Sequence, residues 1–312
     1  MTSPSHRRVC VPIVGGLGNQ MFLIATGVAT AIRNRADLIV PHVEQSDSCA
    51  EPRPVYWKTM FQSISPYMRF VDGAVPRLIP APCNDFSLSA HTTVIPESAP
   101  AKRIVLPENA REGVLRGFFQ SPAYFDDCRQ HVVDLLVPDA YVRQASSALH
   151  CNARASENSP PRRTVGIHIR RGDYLTMRDT FPILSVQDYY LPALERLLGA
   201  ALLEGADCAR TLPLRVVIFT EDAVYGELFR DMLRCKYPLL AANPDCVSLS
   251  NIQQDYIEML AMSLCDDLII ANSSFSWWGA YLNSRPLRRV IAPSKWFVGR
   301  SPNIYCDDWQ RI

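Results

Sequence analysis

Two arginines stand side by side where an apolar run ends. Thr164 to Ile169 reads as a buried strand, and Arg170-Arg171-Gly172-Asp173-Tyr174 follows it at once. In open α/β sheets, ligands bind beyond the carboxyl ends of strands. Adjacent like charges are costly in a merely structural turn. Their side chains point in different directions, so one or two can meet a single anion, and a diphosphate suits a guanidinium fork. With a period of two, His168 and Arg170 share one face of the strand and can reach one site. Asp173 can orient an arginine or a substrate. The alternative is an exposed, salt-bridged loop.

Three further clusters have the same strand-end placement. Ala271-Asn272-Ser273-Ser274-Phe275-Ser276-Trp277-Trp278 carries a short apolar strand into small hydroxyl residues and then a helix. The free amides and dipole of a helix start attract phosphate, and Ser273, Ser274 and Ser276 add donors. A plain serine cap is the alternative, and for the two tryptophans a core position is the better reading. Phe219-Thr220-Glu221-Asp222 closes another strand, and Asp222 lies where a carboxylate meets a ribose hydroxyl or a base N–H. Gly15-Gly16-Leu17-Gly18-Asn19-Gln20-Met21 follows the first strand. Counted from Gly16, the third position of GxGxxG is Met21, whose bulk opposes the helix–strand packing of a dinucleotide site. A nicotinamide oxidoreductase therefore ranks last. Gly16 and Gly18 would instead bring the backbone close to a substrate, with Asn19 and Gln20 facing the crevice, unless the segment is only a tight turn.

Other chemistries lack their signatures. There is no HExxH, no GxSxG and no P-loop GxxxxGK[ST]. No DxD tripeptide offers a carboxylate pair for a metal-bound diphosphate, so arginines and helix dipoles would have to meet the charge of a leaving group.

These clusters need strands and helices to hold them. Val9–Val14, Leu38–Val40, residues 114–119, Thr164–Ile169, Arg215–Phe219, Leu268–Ala271 and Arg289–Ala292 read as strands. Gln20–Arg33, residues 123–136, Ser185–Leu198, Ile252–Cys265 and Phe275–Leu282 read as helices. Ser121 before Pro122, and Ser185 three residues before Asp188, read as helix starts. The alternation implies parallel sheets in an α/β fold. Residues 44–107, rich in Pro, Ser and Asp, read as loops and short elements. Asn152 to Arg163 reads as a linker, which places a domain boundary near it and gives domains of 1–155 and 156–312.

Composition sets outer limits. A chain of 312 residues exceeds one ordinary core. A net charge of +1 argues against a nucleic-acid partner, so any anion site must be built locally. Arginine far outnumbers lysine; it suits bidentate phosphate contacts, and genomic base composition is the alternative reading for most of the excess. The 10 cysteines include no CxxC pair; Cys10 and Cys265 lie in apolar contexts and read as reduced core residues. No apolar run reaches the ~18 residues of a membrane span. The expectation is a cytoplasmic protein in a reducing compartment, with peripheral membrane association left open.

Taken together, GGLGNQMF (Gly15 to Phe22), HIRRGDY (His168 to Tyr174) and ANSSFSWWGAYL (Ala271 to Leu282) resemble the α-1,2-fucosyltransferase family, in order and in spacing. LSVQDYYLPAL (Leu184 to Leu194) and VIAPSKWF (Val290 to Phe297) support it. The likeness covers most of the chain and is weak over residues 44–107, which would shape acceptor choice. Tyr281 stands where relatives often carry Trp. The resemblance implies a GT-B architecture: two Rossmann-like domains facing a central cleft, an acceptor-side domain first and a GDP-sugar-binding domain second. It implies an inverting transfer of L-fucose from GDP-fucose to a galactoside 2-hydroxyl of a glycan, with no cofactor and no metal. Arg170 would contact the donor diphosphate. His168, Arg171, Asp173, Asp222 and Ser273-Ser274-Phe275-Ser276 would fall where phosphate, ribose or guanine binds. Asn19 would border the acceptor and the reacting sugar, next to Gly16, Gly18 and Gln20. The general base is not evident; Asp173, His168 or an acceptor-loop carboxylate would serve. The alternatives are a glycosyltransferase of another linkage or nucleotide sugar, and a non-catalytic GDP- or glycan-binding module.

Overall fold

The computed structural model describes residues 7–41, 43–46, 52–64, 78–81, 91–98, 100–151, 163–203, 214–237, 246–248, 254–300 and 303–312. Of the linker expected over Asn152 to Arg163, residues 152–162 lie outside them, and Arg163 instead begins a strand. They form two compact units, Met1–Asp139 with Asn303–Tyr305, and Ala140–Pro302 with Cys306–Ile312. No helix among the described residues is long and apolar enough to cross a membrane.

The first unit begins with β1 (Arg8–Cys10), α1 (Leu17–Asn34) and β2 (Asp37–Pro41). Strand β1 is shorter than its apolar run because Pro12 has no N–H for the ladder. Helix α1 starts earlier than its apolar face suggests. Gly16 is its N-cap without a side-chain bond, and Arg35 closes it in the left-handed region at φ 48°. A two-residue antiparallel pair follows, β3 (Gln45–Ser46) with β4 (Arg53–Pro54). Then come β5 (Leu78–Ala81), β6 (Thr92–Pro96) and β7 (Glu112–Arg116). The sheet runs β5-β2-β1-β7-β6, all parallel. Two of its strands thus come from the segment read as loops and short elements. Both are edge strands and both contain proline, which edges tolerate and which breaks the apolar pattern. The helix expected over residues 123–136 is two 3₁₀ turns, Pro122–Tyr124 and Asp126–Cys128, before α2 (Arg129–Leu136).

The second unit contains α3 (Asp139–Cys151), β8 (Arg163–Ile169), α4 (Leu191–Leu203), β9 (Leu214–Thr220), α5 (Ala223–Lys236), β10 (Cys246–Ser248), α6 (Asp255–Ser263), β11 (Asp267–Ile269), α7 (Ser274–Leu282), β12 (Arg289–Ala292) and β13 (Gln310–Arg311). A π-helical turn, Val186–Tyr190, precedes α4, with the Ser185 hydroxyl capping Asp188 N at 2.8 Å. The sheet runs β10-β9-β8-β11-β12-β13, again all parallel. From β8 the chain moves outward to β9 and β10, then returns to the other side of β8 as β11. That reversal is where doubly wound sheets open a crevice. At the opposite end of the same strands, the fully buried Asp267 takes paired bonds from Arg163 (2.6 and 2.9 Å) and Arg289 (3.0 and 2.8 Å). Trp277 and Trp278 are fully buried; Trp277 stacks on Tyr281 at 4.8 Å. Cys10 and Cys265 are buried free thiols, pushed up to about 12 chiefly by burial.

Candidate functional site

Register places three strand tips side by side. Ile169 of β8 pairs with Thr220 of β9, and Ile167 with Ile269 of β11. The residues beyond these tips are Arg170 to Tyr174, Glu221 and Asp222, and Ile270 to Ser273. The structure therefore gathers His168, Arg170, Arg171, Asp173 and Asp222 in one neighbourhood.

The two arginines diverge. Arg170 Nη2 bonds Asp173 Oδ1 at 2.7 Å, Nη1 lies 3.7 Å from Glu221 Oε1, and the guanidinium sits 5.3 Å from the Tyr174 ring centre. Arg171 Nε bonds Asp222 Oδ2 at 3.1 Å, and its guanidinium lies over the Tyr225 ring at 3.9 Å. Glu221 accepts from the Arg171 backbone N–H at 2.8 Å. A Cβ at Gly172 would come within 2.9 Å of that carboxylate, so a side chain there would push the Glu221 carboxylate aside. Asp222 also caps α5, accepting from Tyr225 N at 3.0 Å.

Two nitrogens here are buried without a hydrogen-bond partner among the described residues: His168 Nδ1 and Arg170 Nε. A buried polar atom without a partner is expensive, so each of these two calls for one, which a ligand or an ordered water would supply. Burial, then the Arg170 charge, holds His168 down at about 3, which keeps its ring neutral and makes it a weak proton acceptor. Its ring lies 5.7 Å from Phe275.

Phe275 belongs to the first turn of α7. Ser273 caps that helix, its hydroxyl accepting from Phe275 N at 3.3 Å, and no acidic residue occupies the turn. Ser274 and Phe275 are partly exposed. Ser276 is fully buried, and its hydroxyl donates to Ala271 O (3.3 Å) and Ser273 O (3.4 Å) within the helix start. The Tyr174 hydroxyl donates to Asn272 O at 3.1 Å, tying the β8 tip to the approach of α7.

Glu221 belongs to the Phe219-Thr220-Glu221-Asp222 cluster, where the sequence assigns the role to Asp222 alone. The carboxyl that sequence reasoning missed is Glu258 on α6, an element read only as an amphipathic helix. Burial, then repulsion from Glu221 and Asp255, pushes Glu258 up to about 8, against the pull of Arg170. No hydrogen bond to its carboxyl is made among the described residues. A lone glutamate amid Tyr-Ile-Glu-Met-Leu-Ala-Met was the available signal.

The glycine cluster lies in the first unit. Gly16 and Gly18 form the start of α1, and Asn19 is half-buried there. Gln20 turns inward: it is fully buried, and its Nε2 donates to Gly15 O (2.9 Å) and Pro54 O (2.8 Å). Helical phase puts it on the packed face of α1, so it clasps the β3–β4 pair and does not face outward as expected.

Residues 231–312 match the family model Glycosyl transferase family 11. The chain is similar to that family. The matched segment holds α6, β11, α7 and β12, and so the Ser273 cap and Glu258. The O-antigen biosynthesis glycosyltransferase WbnK of Escherichia coli is 28% identical over 201 residues, which is 62% of this chain and 59% of that protein. An α-1,2-colitosyltransferase of Escherichia coli is 24% identical over 97% of this chain and 98% of its own length. Among solved structures, the fucosyltransferase NodZ from Bradyrhizobium aligns over 88% of this chain and 92% of its own, with 11% identity and a TM-score of 0.46; so loose a likeness bears on neither ligand nor reaction.

Proposed function

We propose that the chain is an inverting glycosyltransferase of the GT-B type that moves L-fucose from GDP-fucose to the 2-hydroxyl of a galactoside. The observation that carries this reading is the pair of orphaned nitrogens, His168 Nδ1 and Arg170 Nε, beside the serine-capped start of α7 in a segment similar to family 11.

The diphosphate would take these donors and the α7 amides. The arginines are already paired with Asp173 and Asp222, so the site offers directed donors in place of an unbalanced positive field. Directed donors in a fixed geometry are what stabilise a departing anion. Guanine presents adjacent N–H donors, which a carboxylate accepts in parallel. Glu258 is the carboxyl of the cluster free to do so. Asp222 would meet the ribose. In the reaction the C1–O bond to the diphosphate breaks, its electron pair leaves with GDP, and the acceptor oxygen forms the new bond from the opposite face. The acceptor proton would pass to Asp173, to His168, to an acceptor-loop carboxylate or to solvent. Asn19 would hydrogen-bond the reacting sugar or the acceptor hydroxyl. Leaving-group charge would be met by Arg170 and helix amides without a metal.

A second reading is favoured by one finding: the relative that spans nearly the whole chain is named for colitosyl transfer. The same site would then move a different deoxysugar in α-1,2 linkage. One experiment separates the readings. The protein is supplied with GDP-fucose and other GDP-sugars, a panel of galactosides and a chelator, and product linkages are determined. An α-1,2-fucosyl product supports the first reading. Preference for another GDP-sugar supports the second, and GDP binding without turnover leaves a binding module.

A further inference from the structure

Within the first unit, β1 has β2 on one side and β7 on the other. The chain leaves β1 toward β2 and comes back on the far side as β7, so the β1–β7 junction is that sheet's own reversal point. Asn19 stands on the helix after β1, and Gln120 in the loop after β7. Gln120 Nε2 donates to Asn19 Oδ1 at 2.8 Å across this junction.

We propose that Gln120 is a positioning residue that locks the Asn19 amide in one orientation, so that its Nδ2–H₂ is the group offered to substrate. The proposal deepens the glycosyltransferase reading and rests on it for the substrate. A primary amide has two orientations of nearly equal shape and opposite polarity. Occupying its oxygen decides which face is offered: a donor, suited to a sugar or acceptor oxygen, in place of an acceptor.

Separate constraints converge on that amide. Gly15 has φ 76°, and a Cβ there would lie 2.6 Å from Asn19 Nδ2, so the missing side chain makes room for the amide. Gln120 is itself held. Its backbone N–H donates to Glu97 Oε1 at 3.3 Å, and Phe118 N–H to Glu97 Oε2 at 3.0 Å. Phe119 between them has φ 52°, a left-handed conformation unfavourable for phenylalanine. It is fully buried and meets the Tyr124 ring edge-on at 5.1 Å. Backbone strain held by burial beside a polar side chain is a recurring device of functional loops. Asn19 remains half-buried, whereas its neighbour Gln20 is sealed in.

The test uses Gln120→Glu, Gln120→Ala and Asn19→Ala in the full chain. A glutamate can only accept, so it would turn the Asn19 amide round. Gln120→Glu is expected to lower kcat by about 100-fold, the scale of losing one directed donor, and Gln120→Ala by less. Tm should stay within about 2 °C of wild type in each. Introduced into Asn19→Ala, Gln120→Ala should cost nothing more, because the two act as one unit. Full activity in Gln120→Glu, or effects of Gln120→Ala and Asn19→Ala that multiply, would overturn the proposal. A substrate-free readout keeps it separate from the wider reading. In ¹H–¹⁵N spectra, an Asn19 side-chain proton should move downfield only in Gln120→Glu, where it bonds a carboxylate. If wild type already shows that bonded proton, the amide faces the other way and the proposal fails, whatever sugar the enzyme uses. A wild type that binds no GDP at all would defeat the glycosyltransferase reading instead.

Discussion

The Tyr174 hydroxyl and the Asn272 carbonyl, 3.1 Å apart, join the tip of β8 to the tip of β11. The two strands flank the sheet's reversal point, and the bond fixes how far the arginine turn stands from the serine-capped helix. Asn272 is anchored in turn by its side-chain amide, which donates to Pro182 O (3.0 Å) and Trp296 O (3.2 Å). Tyr174→Phe removes one buried bond and keeps the ring. The expected loss of stability is about 1 kcal/mol. GDP affinity should fall by more than that stability loss implies, because the two halves of the cradle are no longer spaced. Calorimetry with GDP, together with thermal melts, checks both.

Arg170→Lys tests the fork. Lysine keeps the charge but cannot supply Nε and Nη donors in one plane. We expect kcat/KM for the nucleotide sugar to drop about 100-fold, within the range for loss of a directed donor, with Tm little changed. Steady-state kinetics at several donor concentrations would show it. Retained activity would mean that only net charge matters.

Glu258 gives a pH signature. Its folded-state value of about 8 lies above the ordinary 4.5. Between those values the folded chain holds a proton that the unfolded chain has released. The stability this contributes is therefore full below about 4.5 and lost as pH rises to about 8. Glu258→Gln should abolish that decline, seen as the difference between the two proteins in melts from pH 5 to 8.5. If guanine takes the ionised carboxyl, binding below pH 8 must expel the proton. Wild-type GDP affinity should then strengthen by up to ~10-fold per pH unit toward 8, relative to Glu258→Gln.

His168 carries the opposite sign. Its value falls from 6.5 to about 3, so the folded chain excludes a proton that the unfolded chain takes up. That contribution is present above pH 6.5 and lost as pH falls toward 3. His168→Gln should flatten the acid limb of a stability-against-pH curve measured by denaturant melts.

The far end of the sheet supplies a contrast. Asp267→Ala strips Arg163 and Arg289 of their shared carboxylate and should cost about 3 kcal/mol, as breaking a buried ion pair does. It lies at the opposite end of the strands from the arginine turn, so GDP affinity of the folded fraction should be unchanged. Chemical denaturation paired with GDP titration below the new melting temperature separates the two effects.

The sequence made some of this plain and hid the rest for physical reasons. Strands β8, β9, β11 and β12 are mostly apolar over their buried stretches, as a parallel sheet covered on both faces favours, with polar residues mainly near their ends, and the chemistry at those ends is readable by position. Strands β5 and β6 carry proline at sheet edges, where neither pattern nor propensity speaks. Glu221, Glu258 and Gln120 gain meaning only from tertiary pairing. Gln20 and Ser276 sit in eye-catching motifs, yet helical phase turns the amide and the hydroxyl inward. Asn19 and Ser273, one step and three steps away, are the residues left at the surface of those motifs or at their caps.

The most direct test is a GDP titration of wild type and Arg170→Ala, both in chelator. Wild type should bind without added metal, and Arg170→Ala should bind at least ~100-fold more weakly while melting at the same temperature. Equal affinity in the two proteins, or binding that appears only when a divalent cation is restored, would contradict a metal-free diphosphate cradle at the tip of β8.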